Sequence, residues 1–219
     1  MDTTKRITDA TIRLVLKIGY DKTTMQDIAN EAGVARSTIY TKWKTKELLF
    51  ADILRQESIA YLDAWYALVS QDKTNGSFMS IYRNALIAIQ QNSFWLALYT
   101  QNRFVLGNFV SDEQFEQLMI ERLHWNTRLL SMMQDIGFIR DDADVQTLAW
   151  VAVIFRRGLL ITDMNSQSKS KRHFEIILDT FVEMFQQYIG ETQEHNSEKA
   201  HTMLKAYIDD YKSNIGTEA

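Results

Sequence analysis

The 219-residue chain contains no proline and only eight glycines. Proline removes a backbone donor and clashes inside a helix, and glycine is the weakest helix former among the remaining residues. A chain so poor in both has almost nothing to interrupt long helical stretches, and the composition predicts an all-α protein. Hydrophobic residues at 46% and charged residues at 24% lie in the ordinary globular range and supply a sizeable core, and the length fits one large domain or two smaller ones.

Apolar spacing then places the helices. Ile7, Ala10, Thr11, Leu14, Val15 and Ile18 predict a first helix over 4–19, stopped by Gly19. Thr24 opens a second, with Asp27 three residues on as the acidic partner of a capping box, and Ile28, Ala29 and Ala32 as its inner face. Gly33 suits a left-handed turn, after which Val34, Thr38 and Ile39 resume helical spacing, so the pair forms a helix-turn-helix. Thr45 is the N-cap of a long helix reaching about residue 70. The stretch "QDKTNGS", residues 71–77, reads as a loop. Further helices are expected at 78–92, 93–107, 112–136, 143–164 and 171–189, with breaks at Gly107, Gly137 and "NSQSKS". The run 197–211, with Ala200, Leu204, Tyr207, Ile208 and Tyr211 in phase, has two readings: a last helix or a frayed tail.

Absence of cysteine excludes disulfides, thiolate metal sites and a cysteine nucleophile, and fits a reducing, intracellular setting. The N-terminus lacks the apolar run of a signal peptide, and no stretch approaches the roughly 18 consecutive apolar residues of a membrane span. The expectation is a cytoplasmic protein with no membrane partner.

Charge is distributed unevenly. Residues 1–50 hold nine basic side chains against six acidic ones, a net of +3, which leaves −7 on the remainder of a chain carrying −4 overall. A basic end on an acidic body suits an end that meets phosphate. Reading DNA requires a short helix with small polar and basic groups outside and a rigid core behind. Arg36, Ser37, Thr41 and Lys42 fit the outer face, whereas Val34, Ile39 and Trp43 fit the core. Arg36 can offer two donors to a guanine edge, and Ser37 and Thr38 are short enough for close approach. Thr24 at a helix N-terminus, the Tyr40 hydroxyl and the Lys46 ammonium are the candidate phosphate grips. On spacing alone a second reading stands, in which the motif is scaffold within an all-α enzyme or ligand carrier, and Lys44 belongs to a solvated face.

The stretch "TTMQDIANEAGVARSTIYTKWKTKELL" resembles the DNA-binding signature of the TetR family of bacterial transcriptional regulators, T-x-x-x-I-A-x-x-A-G-V-x-x-x-T-x-Y-x-x-F-x-x-K-x-x-L. Thr24, Ile28, Ala29, Ala32, Gly33, Val34, Thr38, Tyr40, Lys46 and Leu49 fall on the pattern, and Trp43 departs from its Phe. "GFIRDDAD", leading into an apolar helix, is similar to the entry of a late family helix. The resemblance implies a DNA-binding domain at 1–48 and a helical ligand-binding and dimerisation domain at 49–219. It also implies a homodimer built through 143–164 and 171–189 on a palindromic double-stranded operator, and a small-molecule effector that releases a repressor.

In the second domain, Phe115, Met119, Leu129, Met133 and Ile136 share one arc of a helix, and Arg122 and Asn126 fall in its middle. A buried arginine needs an answering group, so Arg122 is either an internal ion-pair or dimer contact or, with Asn126, a ligand contact. Arg156 carries the same two readings. Helix 143–164 is apolar nearly all round, as suits burial on two faces. The "SFWLALYTQNRFVLGNF" segment and nine methionines suit either a core or a cavity for apolar or aromatic ligands. The four histidines (His124, His173, His195 and His201) are scattered and paired acids sit at helix entries or in the last run. No catalytic residue, metal site or cofactor is therefore assigned.

Overall fold

The computed structural model describes residues 2–72, 77–111, 113–165, 171–189 and 197–215, and all regular structure among them is helical. The α-helices are α1 Thr3–Ile18, α2 Met25–Ala32, α3 Arg36–Lys42, α4 Lys46–Gln71, α5 Phe78–Gln91, α6 Ser93–Tyr99 and α7 Arg103–Leu106. A 3-10 helix at Gly107–Ser111 precedes α8 Glu113–Asp135, α9 Val145–Asn165, α10 Lys171–Ile189 and α11 Ser197–Ile215. The centre of the loop expected at 71–77, most of the "NSQSKS" break and His195 lie outside the described residues. No described helix is long and apolar enough to cross a membrane.

Local chemistry sets the boundaries. The Thr24 hydroxyl accepts from the Asp27 amide and the Asp27 carboxylate accepts from the Thr24 amide, so the expected capping box is complete. Gly33 ends α2 in the left-handed region at φ 62°, ψ 44°, a conformation that costs other residues a Cβ clash. The Thr45 hydroxyl accepts from the Leu48 amide and starts α4. The helix expected over 93–107 is instead broken. The Asn102 side chain accepts from the amides of Phe104 and Val105 and starts α7 afresh, and Gln101 before it takes φ 50°. Asparagine offers the backbone this local alternative to helix continuation. The run from 197 is resolved in favour of a helix, since Ala200, Met203, Leu204, Tyr207, Ile208 and Tyr211 of α11 are buried.

Contacts divide the chain into two units, with α4 contributing residues to both. The first comprises residues 1–60 and 92–116. Here α1 packs on α2, α6 and α7, and α2 on α3, around fully buried Ile28, Ile39, Leu49 and Phe50. Phe50 is the centre of an aromatic cluster, with ring centroids 4.7 Å from Tyr20, 4.8 Å from Phe109 and 5.5 Å from Phe94.

The second unit comprises residues 61–91 and 117–219, in which α10 packs on α5 and α9. The Tyr82 hydroxyl donates to the Ala152 carbonyl at 2.9 Å, and the Trp65 indole donates to the Ile81 carbonyl at 2.8 Å. Tyr207 of α11 lies edge-on to Trp65 and Trp125, and ion pairs Arg128–Asp210 and Lys212–Asp63 hold the C-terminal half of the same helix. Between α8 and α11 a groove of about 740 Å³ is lined by Met132, Asp135, Ile136, Lys199, Thr202 and Met203. Helix α9 buries only one of its two apolar faces within the chain: Leu148, Ala152 and Leu159 are inside, while Trp150, Val151 and Ile154 are exposed.

Candidate nucleic-acid interface

Helix α3 is short and stands on a rigid base. Ile39 is completely buried and Trp43, directly after the helix, is 4% exposed, so the aromatic plug expected there is in place. The Trp43 indole donates to Asp52 Oδ2 at 2.9 Å. Burial raises the Asp52 carboxyl, but hydrogen bonds from Trp43 and Gln56 and the Lys42 charge more than offset it and hold the group below the usual carboxylate range. Behind the turn, the Arg6 guanidinium donates to the carbonyls of Ala32 at 2.5 Å and Gly33 at 3.0 Å. These are terminal α2 acceptors with no helical donor, and a cation there also answers the negative end of the helix dipole. Sequence reasoning missed Arg6, because its partners lie 26 and 27 residues away.

On the outer face, Arg36, Ser37, Thr41 and Lys42 are exposed, and Thr38 and Tyr40 are half-buried. The Arg36 guanidinium donates to the Tyr40 hydroxyl at 2.9 Å and lies 5.2 Å from the centre of its ring. Ser37 is the short side chain beside it. The Thr41 hydroxyl donates to the Thr38 carbonyl at 2.7 Å, one turn back in its own helix. Lys42 pairs with Asp52 at 3.3 Å and lies 4.6 Å from the Trp43 ring centre, whereas the Lys44 ammonium donates to the Tyr40 carbonyl at 3.1 Å. Arg36, Ser37 and Tyr40 are therefore brought together on one exposed surface, and Lys42 is tethered toward α4.

The candidate grips divide. Thr24 is exposed at the start of α2, with its hydroxyl donated to Asp27 at 2.6 Å. That bond, with the Thr24 amide, holds the Asp27 carboxyl low. The Lys46 ammonium donates to the carbonyls of Tyr20 at 2.9 Å and Thr23 at 3.1 Å and lies 4.0 Å from the Tyr20 ring centre. Two of its three donors are thus spent on the α1–α2 turn. Nearby, the Glu47 carboxyl is held low by its own backbone amide first and, against some burial, by Thr45, Tyr20 and Lys46.

The same turn is fastened from its other side. The Tyr20 amide donates to the Val105 carbonyl at 2.8 Å, and both Asp21 carboxylate oxygens accept from the Asn108 amide, at 3.0 and 3.2 Å. In the second unit, Arg122 and Asn126 are half-buried on α8, and Arg156 is buried on α9.

Residues 7–53 match the family model described as bacterial regulatory proteins, tetR family. Over 56 residues the chain is 43% identical to the uncharacterized HTH-type transcriptional regulator YvkB of Bacillus subtilis (strain 168), covering 26% of this chain and 30% of that protein. It is 33% identical over 94 residues to the HTH-type transcriptional regulator AcrR of Shigella flexneri, covering 42% of each. These matches span less than half of either regulator. In fold, the chain is similar to the regulator FadR of Bacillus subtilis, solved in complex with stearoyl-CoA, with a TM-score of 0.56 at 14% identity over 93% of this chain and 97% of that one.

Proposed function

We propose, from the premise that this chain is a member of the tetR family of bacterial regulatory proteins, that it is a cytoplasmic repressor of transcription. It binds a palindromic DNA operator and leaves it when a small molecule fills the C-terminal helical domain. The observation that carries the DNA reading is the outer face of α3, where Arg36 and Ser37 stand exposed over a fully buried Ile39. A guanidinium on a rigid, closely approaching helix suits bidentate contact with a guanine edge. Thr38 and Thr41 allow or make close approach, Thr24, Tyr40 and Lys46 grip phosphate, and Lys42 adds charge near the backbone. The functional boundary lies at residue 48, with 49–219 serving effector binding and dimerisation.

Apolar side chains left exposed on α9 and α10 support the homodimer through 143–164 and 171–189. The effector is an apolar or aromatic small molecule met by Arg122 and Asn126; the stearoyl-CoA seen with a regulator of similar fold supports an apolar cargo. The DNA reading is tested by selecting duplexes from a random-sequence pool and titrating the variants. Arg36→Ala is expected to cost roughly 1–3 kcal/mol and relax preference at one position, while Lys46→Ala weakens all sequences alike and lowers the salt slope by about one. If neither variant changes DNA affinity, α3 and its flanks do not read DNA.

A further inference from the structure

We infer that Tyr40 is a positioning residue for the base-reading Arg36, and not a phosphate grip alone. The inference rests on the DNA reading above and assigns the site a working part that the family pattern does not contain, since Arg36 falls on one of its unspecified positions. Arg36 and Tyr40 are four residues apart on α3, the spacing at which side chains meet on one helix face. Two features of the contact make it directional: a guanidinium N–H reaches the tyrosine hydroxyl at 2.9 Å, and the guanidinium carbon lies 5.2 Å from the ring centre.

A free arginine on an exposed helix face samples many rotamers, and all but one must be given up when it meets a base. The ring and hydroxyl of Tyr40 hold the guanidinium before DNA arrives. Neighbouring side chains leave that contact alone. The Thr41 hydroxyl is committed to the Thr38 carbonyl, and Lys44 takes the Tyr40 main-chain carbonyl. A phenol hydroxyl accepts and donates at once. Having accepted from Arg36, Tyr40 still has its own O–H proton to give to a phosphate oxygen. Base reader and backbone contact then form one chain, Arg36 to Tyr40 to phosphate, and the backbone sets the register of the reader.

The test uses the full-length protein and the duplex it selects from a random-sequence pool, with each base pair of one half-site varied in turn and affinity read by fluorescence anisotropy at fixed salt. Arg36→Ala should erase the preference at one base pair. Tyr40→Phe should lower that same preference about three- to tenfold, the cost of ordering one long side chain, and leave preferences elsewhere unchanged. In the Arg36→Ala background Tyr40→Phe should have no further effect on that base pair. Uniform weakening by Tyr40→Phe with the preference intact overturns the inference and leaves a phosphate grip. If Arg36→Ala erases no preference, Arg36 is not the reader and the inference fails with that assignment. If the wild-type protein selects no duplex, the DNA reading itself fails. A measurement on the unmodified protein guards against a poorly folded variant. The Arg36 guanidinium protons should exchange with water more slowly than those of exposed Arg103, and equal rates would overturn the preorganised pair.

Discussion

Trp43 stands where the family pattern has phenylalanine, and its indole N–H has a partner nine residues away. Its indole donates to Asp52, a carboxylate that also pairs with Lys42, so Trp43→Phe would restore the pattern and remove a donor from a partly buried anion. We expect that variant to be less stable by about 1 kcal/mol, read as a lower urea midpoint with an unchanged slope. The capping carboxylates make a prediction in pH. Asp27 is held below the ordinary 3.8 by the Thr24 hydroxyl and amide, and Asp144 likewise by the Thr147 hydroxyl and then, against slight burial, by the amides of Gln146 and Thr147. The unfolded chain therefore binds protons at higher pH than the folded one. The stabilisation is complete above the unfolded value and is lost as pH falls through the folded ones. Urea midpoints should drop as pH passes below 3.8. Asp27→Asn should flatten that drop, and an identical slope in the variant would refute the assignment. What the sequence revealed at this scale followed distance along the chain. Thr24, Gly33 and Thr45 were legible because their partners lie within about four residues. The Thr41 hydroxyl turning onto Thr38 follows from the same local chemistry and could have been foreseen. Lys46 and Lys42 could not, since the Tyr20 and Thr23 carbonyls and Asp52 reach them only through packing.

Among the described residues the helices were legible except for the break between α6 and α7 and the 3-10 helix at Gly107–Ser111, for a related reason. Periodicity reports which residues face inward and is silent where a side chain reclaims the backbone, as Asn102 does between α6 and α7. Farther on, the turn at Gly107 and Asn108, where the spacing does place a break, receives Asp21. Gly107 has φ 53° and ψ −135°, and a Cβ built there would lie 2.4 Å from the Asp21 carboxylate. Gly107→Ala therefore combines a backbone conformation that L residues avoid with loss of the seat for Asp21. We expect destabilisation of about 2 kcal/mol or more. Asp21→Ala removes only the acceptor of an exposed amide and should cost about 1 kcal/mol. Hydrogen exchange separates the two explanations. Both variants should speed exchange at Asn108, and protection there that survives Asp21→Ala would mean that the turn is held by the Tyr20–Val105 bond alone.

At the scale of the whole molecule, the apolar surface of α9 and α10 departs, among the described residues, from what one chain in water should show. Ile154 is 66% exposed and Met184 65%, and Trp150, Val151, Ile176 and Tyr188 add to the same two helices. Isolated exposed apolar residues are ordinary, whereas several large ones concentrated on two adjacent helices are the mark of an interaction surface. A second copy of the chain would cover them with the same surface, the usual form of a two-fold interface. Such a dimer would explain why α9 is apolar on a face its own core leaves open. The proposed operator adds a consequence for affinity. With two heads joined, the second half-site is met at an effective concentration set by the dimer, and not by the bulk protein. Ile154→Glu places a charge in that interface and should convert the protein to a monomer in sedimentation at micromolar concentration. Affinity for a two-half-site duplex should fall about 100-fold or more while affinity for an isolated half-site is unchanged. Ile120→Glu is the control, because Ile120 is equally apolar and 57% exposed but sits on α8. It should leave both the dimer and the affinity intact. Retention of the dimer by Ile154→Glu, or its loss in Ile120→Glu, would move the interface away from α9 and α10.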